Sequence, residues 1–430
     1  MQKKILILLF ASLPFIAVLS VVFYGDQPSP EEKRIHNLTT LEPDSPITFG
    51  ILWSEDQGED SFKRGVELAV DEINTGGGLL GRKVETTYST IKSGYINNMN
   101  AIHAMNERQS LCFLLGLPPF KTTLLHLGLT RYYGIPSMLN SQDTILLLKK
   151  WIQDLTVRGN SSSKAIAKEF VRKCKSLGFN NVLILRKTYE YDYFFEELAN
   201  YTTNYMLVAG IKVDSYVMDS LDKITDNPLA IERFNFAKEE DSDLKLGAVV
   251  LSANQNDLLD ITTFLMDNTK IESAISYVDF SAVDTNKYSE KLLELKKPLY
   301  IVTDYLEKVE LRKKSLKSFL KKYFEKFKTS PNRWSIDGYD QTMLVAQAIK
   351  NGKSFLPDDI MVELKKIHYD GISQYYSFTK TGELEAPSIN FFHANNLPEY
   401  IQEMTEIAKS IGISNNLVKG FFHEFKAAKP

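Results

Sequence analysis

The sequence predicts an α/β protein of parallel sheets with helices on both faces. Three observations carry that prediction. Short continuous apolar runs, LCFLLG (111–116), VLIL (182–185) and AVVL (248–251), have the character of strands buried on both sides. Amphipathic segments of 3.6-residue period separate such runs from residue 47 to residue 302. No strand run is followed directly by a tight hairpin turn before the C-terminal portion, which leaves pairing through helical crossovers. In sheets of this kind ligands bind at the carboxyl ends of the strands.

Residues 47–89 open the series. ITFGILW is a short apolar strand, and 61–74 is a helix with Phe62, Val66, Ala69, Val70 and Ile73 on one face and Asp60 as its expected N-cap. Gly76, Gly78 and Gly81 match the spacing of a dinucleotide-binding loop, but that loop must follow a strand and open a helix. Here the glycines come after the helix, where they cap its end and turn the chain into the next strand. The acids Glu55, Asp56, Glu59 and Asp60 precede the helix; they suit its dipole, or a cationic ligand or metal ion facing the strand end.

Further helices are expected at 95–108, 121–133, 163–177, 193–205 and 256–267, with strands at 111–116, 135–139, 182–185, 211–217, 248–251 and 299–302. A long helix at 307–328 carries an aromatic and leucine stripe on one side and Lys313, Lys314, Lys317, Lys321, Lys322 and Lys326 on the other. The lysine face reads as a solvated surface, the membrane or nucleic-acid alternative having less support. Helices at 336–350 and 358–367 follow, then two strands within 375–395 joined by a turn at Thr381 and Gly382, and one or two last helices.

At 430 residues the chain suits two or three domains, and 43% apolar with 24% charged residues excludes wholesale disorder. A net charge of -3 gives no electrostatic case for nucleic acid. Cys112 and Cys174 sit in apolar periodic segments and read as buried, inert thiols. The six histidines show no paired spacing, so no metal site is expected. G-x-S-x-G, P-loop and Cys–His signatures are lacking, so no enzyme and no cofactor are expected.

The N-terminus points outside the cytoplasm. Lys3 and Lys4 precede an apolar run over 5–24, the pattern of an export signal. A cleaved signal peptide and an uncleaved membrane anchor over residues 1–25 both fit. Residues 26–46 carry four prolines among charges and threonines and read as an unstructured tether.

ITFGILW, FKRGVELAVDEIN and GGGLLGRKVE together resemble the opening of a type I periplasmic binding protein, of the branch that binds branched-chain amino acids and amides for ABC importers. Weaker similarities follow in the family's order: LCFLLG, YGIPSMLNS, AKEFVRKCKSLGFNNVLIL, WSIDGYDQTMLVAQAIKNG and IHYDGISQYYSFTKTGELE, covering residues 47–392. The resemblance implies two doubly wound parallel-sheet lobes joined by three crossovers, with ligand trapped between them. Lobe one would take 47–150 plus 307–367, lobe two 151–306 plus 368–395, and 396–430 would be a C-terminal helical extension.

It also implies where ligand is held. In the family the loop after the third strand grips an α-carboxylate with amides and small hydroxyl residues; here it reads Gly116, Leu117, Pro118, Pro119, Phe120, Lys121. The prolines offer no amide hydrogen. The following loop keeps Asn140, Ser141 and Thr144, and Tyr191 matches the second lobe's tyrosine, although Asp192 replaces the usual glycine. Trp53 and Ser54, Asn254 and Asp304 follow strands and complete the expected ligand-binding set. Tyr339 and Asp340 match a chiefly structural position. The function implied is an extracytoplasmic solute-binding protein, periplasmic or anchored to the inner membrane by residues 5–24, trapping a small amino acid- or amide-like ligand for an ABC importer. The alternative is a membrane-tethered ligand sensor, or an orphan binding protein without a transporter.

Overall fold

The computed structural model describes residues 28–54, 60–91, 95–117, 123–187, 193–218, 244–252, 255–277, 295–303, 309–410 and 412. The N-terminal apolar run, the acidic loop at 55–59, Tyr191, Asn254 and Asp304 lie outside them.

Two helices flank the first strand, α1 (Pro30–Thr39) before it and α2 (Ser61–Thr75) after it. The strand itself, β1 (Ile47–Ser54), pairs in parallel with β2 (Val84–Ile91) on one side and β3 (Leu111–Gly116) on the other. Ile47, Phe49 and Ile51 face opposite to Thr48 and Leu52, and all five are buried, as a strand covered on both sides requires. β4 (Ser137–Leu139) and β5 (Thr156–Arg158) complete a five-stranded sheet of order β2-β1-β3-β4-β5. Helices α3 (Tyr95–Asn106), α4 (Thr123–Tyr132) and α5 (Lys150–Gln153) supply its connections.

The second sheet repeats the pattern. α6 (Ser163–Ser176) leads into β6 (Asn181–Lys187), and α7 (Tyr193–Val208) into β7 (Lys212–Met218). β8 (Leu246–Leu251), α8 (Gln255–Asn268), β9 (Ser273–Tyr277) and β10 (Leu299–Thr303) follow. From one edge the order is β7-β6-β8-β9-β10, the order of the first sheet used again, with one antiparallel strand added beyond β10. Each sheet therefore reverses its strand order once, at β1/β3 and at β6/β8. Such reversals open a crevice at the strand ends.

Helices α9 (Val309–Phe327) and α10 (Arg333–Gly352) bind the halves together. Leu316, Phe319, Leu320 and Tyr323 of α9 share one core cluster with β8, β10 and α8, so this helix, grouped with lobe one by the resemblance, contributes its stripe to the second sheet's core. On its lysine face, Lys322 and Lys326 pair with Glu72 and Asp71 of α2, while Lys314 and Lys321 are exposed and Lys317 is half-buried. α10 crosses α2 at close range: a β-carbon on Gly65 would stand 2.0 Å from the Ser335 carbonyl oxygen, and one on Gly338 2.3 Å from that of Phe62. Asp340 accepts from the Ile372 and Ser373 amides at 2.8 Å and the Ser373 hydroxyl at 2.9 Å, the structural role expected of it.

Several expectations are corrected. Residues 30–39, read as unstructured, form α1, because Ser29 and Glu32 close a capping box and Pro30 suits the first turn. Its Arg34 is buried and donates to the carbonyls of Leu111 and Tyr133 and to the Asn106 side chain. Burial lowers the Arg34 guanidinium to about 10. Asp60 makes no side-chain cap on α2. Gly76 ends α2, and Gly77, Gly78 and Gly81 turn the chain at positive φ, so the glycine fingerprint is a helix exit.

After α11 (Pro357–Leu364), β11 (Tyr369–Asp370) pairs with β12 (Tyr375–Tyr376), and Gly382 turns the chain. The strand beyond, β13 (Asn390–His393), does not return to β12; it is the antiparallel strand added to β10. β5 and β9 are strands the sequence reading lacked. In the C-terminal extension, α12 (Leu397–Ser410) buries Ile407 in the second sheet's core. Burial pushes the free thiols of Cys112 and Cys174 up to about 12, which makes them inert.

Candidate functional site

The chain leaves β3 through two residues of positive φ, Gly116 at 102° and Leu117 at 46°. A leucine in that region is strained, and such strain collects at functional sites. The Leu117 amide donates to the Leu52 carbonyl at 3.0 Å, which ties the end of β3 to the end of β1 at the first reversal point. Leu117 is buried, its amide is spent on Leu52 and its carbonyl accepts from the Asn140 amide at 3.2 Å, so its backbone holds the two strand ends together. Trp53 does not line the crevice as expected. It is 1% exposed, stacks on Phe62 at 4.3 Å and meets Trp334 edge-on at 5.1 Å, so it belongs to the core under the strand end. Ser54 ends β1 beside it.

The loop after β4 holds the other three described candidates. The Asn140 amide donates to the Gly116 carbonyl at 2.8 Å, joining this loop to the end of β3. Gln341 of α10 donates to Asn140 Oδ1 at 3.2 Å. Arg158, fully buried at the end of β5, donates to the Ser141 carbonyl, to the Asp143 carbonyl at 2.8 Å, and to both oxygens of Glu383 at 2.8 and 3.3 Å. Four bonds thus run from one planar donor fork. Gly159 follows, close against Gln341, and its carbonyl accepts from Gln374 at 2.9 Å. Around it Asn140 Nδ2, Asn160 Oδ1, Ser161 Oγ, Gln341 Oε1 and Gln374 Oε1 are buried without a hydrogen-bond partner among the described residues.

Thr144 joins the halves. Its amide donates to Glu197 Oε2, on α7, at 2.9 Å, and its hydroxyl lies 3.0 Å from that of Ser163, which donates to the same carboxylate oxygen. Ser163 opens α6, so the carboxylate also meets the positive end of a helix. Beside it, Gln142 donates to the Tyr277 hydroxyl on β9 at 2.8 Å, and Tyr277 packs on Phe194 and Phe195. The loop after β4 of one sheet thus meets the helix after β6 and the strand β9 of the other.

Burial, and then the Glu197 charge, raise the Asp143 carboxyl, with Arg158 and Ser141 opposing. A raised folded value means the ionised form is disfavoured by folding, so this group's stabilising contribution exists below the unfolded value, about 4, and is lost as pH rises through the folded one. Asp143→Asn is therefore expected to raise the melting temperature at pH 7 and to lose that advantage toward pH 4, read by calorimetry across the range. Burial and the Glu197 carboxylate likewise raise the Tyr201 phenol, against a hydrogen bond to Thr144.

No family model and no curated protein matches the sequence. Solved structures do. An ABC transporter substrate-binding protein of Desulfitobacterium hafniense, in complex with Leu, matches 81% of this chain and 97% of its own at 16% identity, with a TM-score of 0.63. The branched-chain amino acid transporter substrate-binding protein of Streptococcus pneumoniae, in complex with isoleucine, matches 82% of this chain and 97% of its own at 19% identity and 0.58. This chain has the type I periplasmic binding protein fold. A leucine-binding protein of Thermotoga maritima, at 16% identity and 0.57, covers the same share of this chain as the first, 81%.

In this binding-protein fold Leu117, Asn140, Ser141 and Thr144 come together at the ends of β3 and β4. Arg158, Glu197, Gln142, Ser163, Tyr277 and Gln341 were missed from the sequence. Arg158 sits in a three-residue strand with no flanking pattern, and Glu197 looks like any acid near the start of a helix, just beyond Glu196 in the first turn.

Proposed function

We propose that the chain is an extracytoplasmic solute receptor that traps a small polar ligand of amino acid or amide type between its two lobes and serves an ABC importer. The observation that carries this reading is the single strand order used in both sheets, with the loop after β4 meeting α7 and β9 of the other half. That arrangement brings strand ends of both sheets to one crevice, where a hinge can close on a ligand. The unpartnered polar atoms around Gly159 are groups such a ligand can satisfy; each costs about 1–3 kcal/mol when left unmet. In this reading Ser54, Leu117, Asn140, Ser141, Thr144, Tyr191, Asn254 and Asp304 line the crevice, and binding involves no chemical step. In this reading the lobes are those the resemblance implies, except that α9 gives its stripe to the second sheet's core and Tyr376, Phe378 and Leu384 lie in the first sheet's core.

A thermal-shift screen across amino acids, their amides, urea and aromatic acids tests the proposal. A ligand at 100 times its dissociation constant adds about 2.7 kcal/mol of stability. A screen in which no compound moves the melt would sink the receptor reading.

A second reading, a membrane-tethered sensor, is favoured by α1: the apolar run at 5–24 is followed within a few residues by a helix that Arg34 fixes to the first lobe. N-terminal sequencing of the mature chain separates the two, since a tether keeps residues 1–25 and a freely soluble product lacks them.

A further inference from the structure

The donors after β4 converge on a carboxylate that the chain itself supplies. The Thr144 amide and the Ser163 hydroxyl both donate to Glu197 Oε2, and the Thr144 hydroxyl completes the triangle while accepting from the Lys164 amide at 3.2 Å. These are the groups at a strand end and a helix N-terminus that would otherwise receive an anion from a ligand. The neighbouring Glu196 points to Arg186, 3.7 Å away, and is half exposed.

We propose that Glu197 is the specificity-determining residue of the crevice: by taking the Thr144 and Ser163 donors, its carboxylate turns away ligands with a free carboxylate at that end and admits the corresponding neutral amides. The inference deepens the receptor reading above and rests on it. A ligand carboxylate would have to displace Glu197 and then stand beside Asp143. Like charges so placed oppose each other. Arg158, a buried cation beside this loop, is committed to Glu383 and to the Ser141 and Asp143 carbonyls, and its charge already acts on Asp143. An amide, in contrast, presents N–H groups to the Glu197 carboxylate and brings no negative charge to that end. The bond so formed is charge-assisted.

The test compares wild type with Glu197→Ala, using L-leucine, L-leucinamide and formate as probes. Calorimetric titration of the wild type is expected to show leucinamide bound at least about tenfold tighter than leucine, the scale of one close like-charge contact. Formate is expected to leave the Thr144 amide resonance of the wild type in place and to move it in Glu197→Ala, where leucine also gains on its amide. A Thr144 resonance that formate leaves unmoved in folded Glu197→Ala, or a wild type that prefers leucine to leucinamide, overturns the proposal. If neither leucine compound binds the wild type, the receptor reading loses support, while the formate measurement still decides the role of Glu197. Should Glu197→Ala not fold, Glu197→Gln keeps the shape and removes the charge; it is expected to narrow the discrimination about tenfold, and unchanged discrimination overturns the assignment.

Discussion

Arg158→Ala is expected to lower the stability of the fold by about 3–5 kcal/mol, the cost of removing one partner from a buried ion pair. The Arg158 side chain is 0% exposed and that of Glu383 24%, so the carboxylate left behind is only partly rehydrated. The Ser141 and Asp143 carbonyls lose the Arg158 donor in the same step. Because those carbonyls fix the loop that carries Asn140 and Thr144, ligand affinity falls along with stability. Arg158→Lys restores little of either, since an ammonium is a point charge and cannot reach Glu383 and two carbonyls at once. Urea unfolding read by fluorescence gives the first effect and ligand titration the second. A loss under about 1 kcal/mol, the range of exposed pairs, would show that the ion pair behaves as a surface one.

Gly65→Ala is the second large effect. A single methyl there meets the Ser335 carbonyl oxygen at 2.0 Å, a backbone atom that can move only if α10 moves. The two helices must separate, at about 3 kcal/mol, the upper end of what overpacking costs. Gly128→Ala is the control: it also lies in a helix, a β-carbon there meets nothing within 4 Å, and alanine is favoured over glycine by about 1 kcal/mol in a helix interior. Opposite signs for the two substitutions, measured by the same urea titration, would place the effect in the crossing of α2 and α10. A shared loss would place it in helix propensity.

The alternation of apolar runs and amphipathic segments was enough to read the parallel sheets, because strands covered on both faces leave a continuous apolar signal. The short strands β5 and β9 left none: TVR and SAISY are too brief for periodicity, and only neighbouring strands make them strands. Of the proposed site, the sequence made legible the positions that follow strand ends, and the structure places Leu117, Asn140, Ser141 and Thr144 there. It was illegible where long-range pairing decides, since Thr144 meets Glu197 across 53 residues and Arg158 meets Glu383 across 225. Trp53 shows the converse error. Position at a strand end suggested a ligand contact, while Phe62 and Trp334, distant in sequence, claim its ring.

Arg34 assigns unequal duties to the two halves. It stitches α1 to three points of the first lobe, the end of α3, the start of β3 and the exit of α4. Whatever holds the chain upstream of α1 therefore holds the first sheet as a stator, and in a hinged receptor the second sheet is the rotor. In the receptor reading, ligand arrival would then be written as a displacement of the second sheet, and a partner reading occupancy would gain most by watching that half.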